Sequence, residues 1–474
     1  MSRKIIIDTD PGVDDVLALL LALAATPEEL EILLISVTYG NIDVRNCLRN
    51  VISLFHHVEQ EIEWRKSQGR DPGFQTLRKT KPIVAVGPDH PLAEQTMMAD
   101  FFHGRDGLAG IHETHPHMTP ADTWKSLFDR SQQSSDPEEH AVAEELANKD
   151  ALFIPSKKPS SEEILRLLRD NEPDTITIVA IGPLTNLALA AAQDPETFLR
   201  AKEIVVMGGN INDIGNVCGN LSPSSTNIIS APEPLFRLTK QPTGPIRTQL
   251  NSRNQITPVA EFNTFADSIA AARVYALSSQ DPKTTMPPPI PPTSTNEQTV
   301  LRPYPETLSR QLKITMFPVD ITHRHNLSRG VYRTILASPS TSNSPLASWL
   351  SAFLTSTFRK IESLQQEASG DDVNLGLHDP LTIWYCMTDP ATWQINEDED
   401  IRIETSGQWT RGMCVVDRRT RRKRAEGEEG EKAGDTGNWL SRRGGNRLRR
   451  AVRSPAGGEE GFGGLMLRRI LNME

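Results

Sequence analysis

The chain has 474 residues and a formal net charge of −10, with 24% of its residues charged. This acidic balance argues against nucleic acid as the main partner, because the phosphate backbone attracts basic surfaces. The four cysteines, Cys47, Cys218, Cys386 and Cys414, form no C-x-x-C pair, which favours reduced thiols over a disulfide framework or a zinc site. No apolar run of about 18 residues and no charged-then-apolar leader is present, so we expect a soluble, cytoplasmic protein.

The first predicted elements are a strand and a helix joined by a tight turn. The isoleucines at 5–7 predict a buried strand, and the apolar run at 16–25 predicts a helix. Pro11 and Gly12 mark the turn between the two elements. Open α/β sheets bind their ligands at the carboxyl ends of their strands, so this turn is a candidate binding site.

Three aspartates occupy this junction. Asp10 follows the strand, and Asp14 and Asp15 fall in the first helical turn. A single aspartate here would be explained as a helix cap or a first-turn acid. Three convergent carboxylates repel one another and raise each other's pKa values unless a cation holds them together. The pattern therefore predicts a metal site, with calcium as the expected ion.

Two other metal motifs share part of this pattern. An EF-hand loop begun at Asp8 requires an acidic residue at its twelfth position, where this chain has Leu19. A haloacid-dehalogenase-like phosphohydrolase also begins with a strand and Asp-x-Asp, as at residues 8–10. That class expects Thr or Val where Gly12 stands, and it does not explain the Asp pair at 14–15. The phosphohydrolase remains an alternative.

Residues 8–15, Asp-Thr-Asp-Pro-Gly-Val-Asp-Asp, resemble the amino-terminal signature of the nucleoside hydrolase family. The resemblance implies an open, mostly parallel, Rossmann-like α/β sheet flanked by helices, with polar loop insertions. It also implies hydrolysis of the N-glycosidic bond of ribonucleosides to ribose and free base with a calcium-bound water, by a homo-oligomer (a dimer or tetramer). The resembling segments are 4–55, 81–112, 174–217, 257–280, 312–335 and 371–417.

The remaining elements alternate in the manner of such a sheet. The second strand completes a β-α-β unit, whose crossover is expected to be right-handed. Further strands are predicted at 31–38, 82–87, 174–181, 204–210 and 314–323, and helices at 44–57, from 185 onward, at 266–276 and at 346–364.

The resemblance implies a metal set and a proton acceptor. Asp10, Asp15 and Asp379 would be side-chain ligands of calcium, and Ile181 would contribute its carbonyl. Because calcium is a weak Lewis acid, a nearby carboxylate must take the proton of the attacking water, and Asp10 is the choice. Asp379 is also explained as a helix N-cap, with Pro380 at the first helical position.

The resemblance also implies contacts with the nucleoside. Asn41 alone would be an ordinary turn residue, and Met207 ordinary core. Glu261 and Asn263 alternate around Phe262, so we expect an extended segment that directs both polar side chains the same way. His112 and His115 are expected to be surface histidines without a metal role. The predicted contacts are Asp14 and Asn41 with ribose hydroxyls, Glu261, Phe262 and Asn263 at the other end of the sugar, Met207 and Asn216 near the ribose, and His103 or His378 with the departing base.

Polar insertions interrupt the predicted catalytic domain, residues 1–417, near 59–80, 116–160, 218–256 and 281–311. The segment 218–256 is interpreted as a disordered surface insertion or as translated intron sequence. Because it lies where substrate contacts are expected, a catalytically impaired nucleoside-binding homologue is a further alternative. The stretch at 286–292 is polyproline-like and expected to be a solvated loop. Residues 418–474 are charged and Gly-rich, which predicts a disordered tail.

Overall fold

A computed structural model describes residues 2–94, 96–128, 151–213, 259–287, 301, 303–364, 369–425, 427–428 and 432–473. The strands are Arg3–Thr9 (β1), Leu30–Val37 (β2), Ile83–Val86 (β3), Ile154–Pro159 (β4), Ile176–Ala180 (β5), Glu203–Met207 (β6), Ile314–Phe317 (β7), Asn326–Ser328 (β8), Asn374–Gly376 (β9), Gln394–Glu399 (β10), Ile401–Ile403 (β11), Cys414–Val416 (β12) and Leu448–Arg453 (β13). The helices are Val13–Leu23 (α1), Val44–Ser67 (α2), Gln75–Lys79, Asp100–His103, Ile111–Thr114, Ser160–Asp170, Thr185–Gln193, Pro195–Phe198, Phe262–Ala266, Ser268–Ala276, Val319–Thr322, Arg329–Leu336, Pro345–Leu364, His378–Met387 and Gly458–Ile470.

One large sheet runs through the described chain in the order β10-β13-β7-β6-β5-β1-β2-β3-β4. Neighbouring strands are parallel except β10 and β13, which are antiparallel. This open, mostly parallel sheet flanked by helices confirms the predicted fold class. The strands that follow β1 extend to one side of it and β5 lies on the other, so the strand order reverses there. Sheets of this kind bind ligands in the crevice at such a reversal.

Both faces of β1 are buried, as its run of isoleucines predicts for a central parallel strand. Ile5 and Ile7 belong to one hydrophobic core, whereas Ile6 belongs to a second core on the opposite face. Every residue of α1 except Asp14 is buried. The first helical turn is therefore held rigidly between the sheet and the helices around it, which fixes the positions of the acidic residues at its start.

The prediction of a loop-rich insert at 59–80 is wrong for most of that segment. Helix α2 continues to Ser67, and a short helix follows at Gln75–Lys79. The segment was predicted to be a loop because it is polar, but two of its charged residues form a buried ion pair, in which Arg65 Nε donates to Glu61 Oε1 at 2.7 Å. The second carboxylate oxygen of Glu61 accepts from Ser344 Oγ at 2.6 Å. Because these charges are paired and hydrogen-bonded, the helix can bury them.

The prediction of a disordered tail at 418–474 is also wrong. Strand β13 lies inside the sheet between β7 and β10, with Leu448 and Ala451 fully buried. The arginines of this strand are neutralised by partners elsewhere in the chain, since Arg449 donates to Glu203 at 2.8 Å and Arg450 pairs with Glu399. The composition indicated a solvated segment because the arginines of β13 are matched by residues distant in sequence.

Several expectations concern segments that lie outside the described residues. These segments include the whole insertion at 218–256, with Asn216 before it, and the prolines at 288–292. Within the insert predicted at 116–160, residues 154–159 form edge strand β4, and 129–150 are outside the described ranges. His112 is buried and not a surface residue, with hydrogen bonds to Asn50 and Thr119. In the part of the chain that the structure describes, no helix is long and apolar enough to cross a membrane.

The carboxyl-terminal helix, Gly458–Ile470, provides a test of this architecture. Phe462 is 1% exposed and packs on Trp384, whereas Leu465 on the same helix is 48% exposed. We expect Phe462→Ala to lower the free energy of unfolding by about 3–5 kcal/mol in urea denaturation, because it leaves a cavity. Leu465→Ala should change it by less than about 0.5 kcal/mol. Equal, small effects of the two changes would contradict a packed terminal helix.

Candidate active site

Asp15 is held in place by the turn between β1 and α1. Its carboxylate accepts hydrogen bonds from Thr9 Oγ1 at 2.7 Å and from the Gly12 backbone N–H at 3.0 Å. The side-chain amide of Asn41, at the end of β2, donates to it at 2.8 Å. Asp15 is the third residue of α1, and its side chain accepts from the backbone just before the helix. This is a common way to satisfy the free N–H groups at a helix start.

Asp10 lies at the carboxyl end of β1, in the crevice between β5 and β2. Its Oδ2 accepts from the Asn41 backbone N–H at 2.7 Å, whereas its buried Oδ1 has no hydrogen-bond partner among the described residues. A Cβ at Gly182 would lie 2.5 Å from Oδ1, and one at Gly40 would lie 2.1 Å from Oδ2. The two glycines therefore allow the chain to pack closely around this carboxylate. A buried acceptor without a donor is suited to a cation.

Asp379 joins this group from more than 350 residues away in sequence. One carboxylate oxygen each from Asp14, Asp15 and Asp379 lies within 4.8 Å of the others. The helix begins at His378, with Leu377 as its N-cap, so the alternative that Asp379 itself is the N-cap is wrong. Asp379 instead lies in the first turn, with its side chain buried.

The four aspartates perturb one another electrostatically. Burial raises the pKa of Asp379 well above its ordinary value, and the charges of Asp14, Asp15 and Asp10 raise it further. Burial also raises the pKa of Asp10, with added contributions from Asp15 and Asp14. Burial and the Asp15 charge raise the pKa of Asp14 to about 7. Several buried carboxyls with one unpartnered oxygen fit a divalent cation, which prefers oxygen ligands.

Asn263 connects the ends of two strands at the other side of the crevice. Its side-chain amide donates to the Ile181 carbonyl at 3.1 Å and to the Met207 carbonyl at 3.3 Å. The Ile181 carbonyl, predicted as a metal ligand, therefore already accepts a hydrogen bond. The Asn263 amide also lies 3.5 Å from the sulfur of Met207, so the structure brings these three predicted residues together.

The expectation of an extended segment from Glu261 to Asn263 is wrong. Glu261 has an extended backbone but caps a short helix that begins at Phe262, so Asn263 is helical. The Glu261 carboxylate accepts from the backbone N–H groups of Gly209 at 2.7 Å and Asn263 at 2.6 Å. The side chain of Phe262 is buried and packs in a small apolar cluster with Ala99 and Ala266. The polar, apolar, polar order of residues 261–263 resembled a strand because the N-cap and the second helical residue are both polar and flank a buried Phe.

Two histidines approach the same crevice with one ring nitrogen anchored. The Val13 backbone N–H donates to His103 Nδ1 at 3.2 Å. Burial, with a smaller contribution from the nearby His378, lowers the pKa of His103 to about 3. Burial lowers the pKa of His378 to about 4. Both imidazoles are therefore neutral near pH 7.

A cluster of buried polar side chains directly behind Asp10 was not predicted. Asp8 accepts from Ser36 Oγ and from Asn186 Nδ2, the latter at 2.8 Å. Asn186 also donates to Ser36 Oγ at 3.0 Å, so its side chain links the helix after β5 to β1 and β2. A polar residue within a strand of isoleucines is the signal that could have revealed this cluster. It fixes the strand ends that carry Asp10 and Asn41.

Comparison with known proteins gives a consistent result. The profile of the inosine-uridine preferring nucleoside hydrolase family matches residues 5–434. An uncharacterised protein of Schizosaccharomyces pombe is 28% identical over 414 residues, covering 87% of this chain and 89% of that protein. Uridine nucleosidase 1 of Arabidopsis thaliana is 31% identical over 236 residues, covering 49% of this chain and 51% of that protein. The solved structure of the plant nucleoside hydrolase PpNRh1 has the same fold, with a TM-score of 0.55, 20% identity and 99% of each chain covered.

The family match identifies the class of this protein as an N-glycosyl hydrolase, and the acidic crevice is compatible with it. The chain belongs to the inosine-uridine preferring nucleoside hydrolase family, whose members hydrolyse ribonucleosides and are in general metal-dependent. Membership favours this class over the phosphohydrolase alternative.

The raised pKa values predict how pH and cations affect stability. Because folding raises the pKa of Asp14 from 3.8 to about 7, the folded protein binds more protons than the unfolded chain between these values. The metal-free protein should therefore lose stability as the pH rises through this window. Added Ca²⁺ should raise the melting temperature strongly at pH 8 and weakly at pH 5, because it competes with protons. Thermal unfolding in chelator and in Ca²⁺ measures both effects.

The variant Asp379→Asn should remove the Ca²⁺ effect. It should also stabilise the metal-free protein at pH 8 by about 1–3 kcal/mol, since one buried charge is gone. Asp389→Asn, an exposed matched control, should leave both quantities unchanged. A full Ca²⁺-dependent shift in Asp379→Asn would refute the assignment of the cluster as a cation site.

Proposed function

We propose that this chain hydrolyses the N-glycosidic bond of ribonucleosides with calcium held by Asp10, Asp15, Asp379 and the Ile181 carbonyl. The observation that carries the proposal is the convergence of carboxylate oxygens from Asp14, Asp15 and Asp379, close enough to Asp10 for its charge to act on Asp379, together with the unpartnered buried oxygen of Asp10. When bound, calcium would orient a water molecule and sugar hydroxyls and partly neutralise the carboxylates.

Asp10 is the proposed proton acceptor for the attacking water. Its Oδ2 is held by the Asn41 N–H, and its free Oδ1 is available to take a proton. Burial and the neighbouring aspartates raise its pKa, which makes it a stronger base than an exposed carboxylate. Geometry and basicity therefore favour the same residue.

The sugar would lie between two polar groups. Asp14, the one residue of α1 that is not buried, would accept from ribose hydroxyls together with Asn41. At the other end, Glu261 and Asn263 are held rigidly by backbone groups. Cleavage leaves a ribosyl group with oxocarbenium character, and anionic side chains around it stabilise the developing positive charge.

The base would leave on the side of His103 and His378. Both rings are neutral, and each has one nitrogen anchored to the protein and the other without a partner among the described residues. The Arabidopsis relative is a uridine nucleosidase, which supports uridine as a first substrate to test.

The activity test is base release from a panel of uridine, cytidine, inosine and adenosine, followed by chromatography. We expect release that is abolished by a chelator and restored by Ca²⁺. Asp10→Asn should lower kcat by about 10²–10⁴-fold, because the proton acceptor is lost. Asp389→Asn is the control and should retain activity.

Other outcomes would separate the alternatives. Nucleoside binding by wild type without base release would indicate an impaired homologue. Release of phosphate from nucleotides in the presence of Mg²⁺, without release of free base, would indicate a phosphohydrolase. Unchanged base release by Asp10→Asn would remove Asp10 from the mechanism.

A further inference from the structure

We propose that Thr322 is a positioning residue that fixes the tautomer of His378, so that its Nε2–H donates a hydrogen bond to the departing base. The inference rests on the proposed function and deepens it, because it assigns the base-side donor and the residue that sets its orientation. Thr322 closes the short helix after β7, and His378 begins the helix that carries Asp379.

The hydroxyl of Thr322 lies 2.7 Å from His378 Nδ1. Thr322 is fully buried, and within the described ranges its hydroxyl makes no other hydrogen bond. The His378 ring is partly exposed, and its Nε2 has no protein partner in the same ranges. A Cβ at position 376 would lie 2.7 Å from Nε2, so Gly376 leaves space around this nitrogen.

Hydrogen-bond accounting decides which ring nitrogen carries the proton. If Nδ1–H donated to Thr322, the hydroxyl hydrogen would be buried without an acceptor, which costs about 1–3 kcal/mol. If the hydroxyl donates to Nδ1, both groups are satisfied and the ring hydrogen is on Nε2. The second arrangement is favoured, and it leaves an N–H donor on the side of the ring without a protein partner.

His103 shows the same arrangement with a different anchor. The backbone N–H of Val13 can only donate, so His103 Nδ1 accepts and the ring hydrogen of the neutral form is on Nε2. The base side of the crevice therefore has two neutral N–H donors, each oriented by its Nδ1 partner.

A neutral imidazole stabilises the leaving base without transferring a proton to it. As the bond between the ribose C1′ and the base nitrogen breaks, its electron pair moves onto the base. The Nε2–H group donates to the base atom that gains this charge, and solvent protonates the base after release. A hydrogen bond that strengthens as charge develops lowers the activation barrier, and so raises kcat, but leaves the affinity for the substrate unchanged.

The test compares two leaving groups in full-length protein. Uridine releases uracil, a poor leaving group, whereas p-nitrophenyl β-D-ribofuranoside releases p-nitrophenolate, a stable anion that needs little stabilisation by the protein. Thr322→Val removes the hydroxyl but keeps the shape of the side chain. We expect it to lower kcat for uridine by at least about tenfold with KM changed by less than about threefold. The p-nitrophenyl substrate should lose less than about twofold.

Two further variants keep the proposal falsifiable. Thr322→Ser retains the hydroxyl and should hydrolyse uridine at close to the wild-type rate. Thr322→Ala also lacks the hydroxyl, so it replaces Thr322→Val in this comparison if the latter folds poorly, and the same loss is expected. Equal losses on both substrates, or equal losses in the Ser and Val variants, would overturn the role of Thr322. Wild type that releases neither uracil nor nitrophenolate would instead overturn the proposed function, and this inference with it.

Discussion

Repulsion among buried carboxylates is the constraint on which this site depends. Asp10, Asp14, Asp15 and Asp379 are contributed by a strand end and two helix starts, and the charges of neighbouring aspartates raise the pKa values of Asp10, Asp14 and Asp379. Such a group cannot remain fully ionised without a compensating charge. The hydrogen bonds from Thr9, Gly12 and Asn41 hold the side chains in place but do not neutralise them. A divalent cation, or protons, must do so.

The fold makes this concentration of charge possible. The strand order reverses at β1, so the ends of β5 and β2 flank Asp10, and glycines at 40 and 182 leave space for its carboxylate. Behind it, Asn186 links the strands through Asp8 and Ser36. The rigid core on both faces of the sheet then supports a strained electrostatic arrangement that an isolated loop could not maintain.

Local patterns predicted the part of this architecture that local physics determines. The isoleucine run, the turn at residues 11–12 and the acidic first helical turn are all visible in sequence, and β1 and α1 confirm them. Helix α2 beyond His57 was missed because its buried charges, Glu61 and Arg65, pair with each other, and strand β13 was missed because its arginines are neutralised by distant residues such as Glu203. Thr322 was missed because only the fold places its hydroxyl against His378, which is 56 residues away in sequence.

The most direct test of the account is the number of calcium ions that the protein binds. Equilibrium dialysis of wild type at pH 8 should give one tightly bound ion per chain, and Asp15→Asn and Asp379→Asn should each bind none at the same free concentration. Because Asp15 and Asp379 are far apart in sequence, loss of the ion in both variants would show that the two residues bind it at one shared site. Wild type without a bound ion, or either variant with wild-type binding, would contradict it.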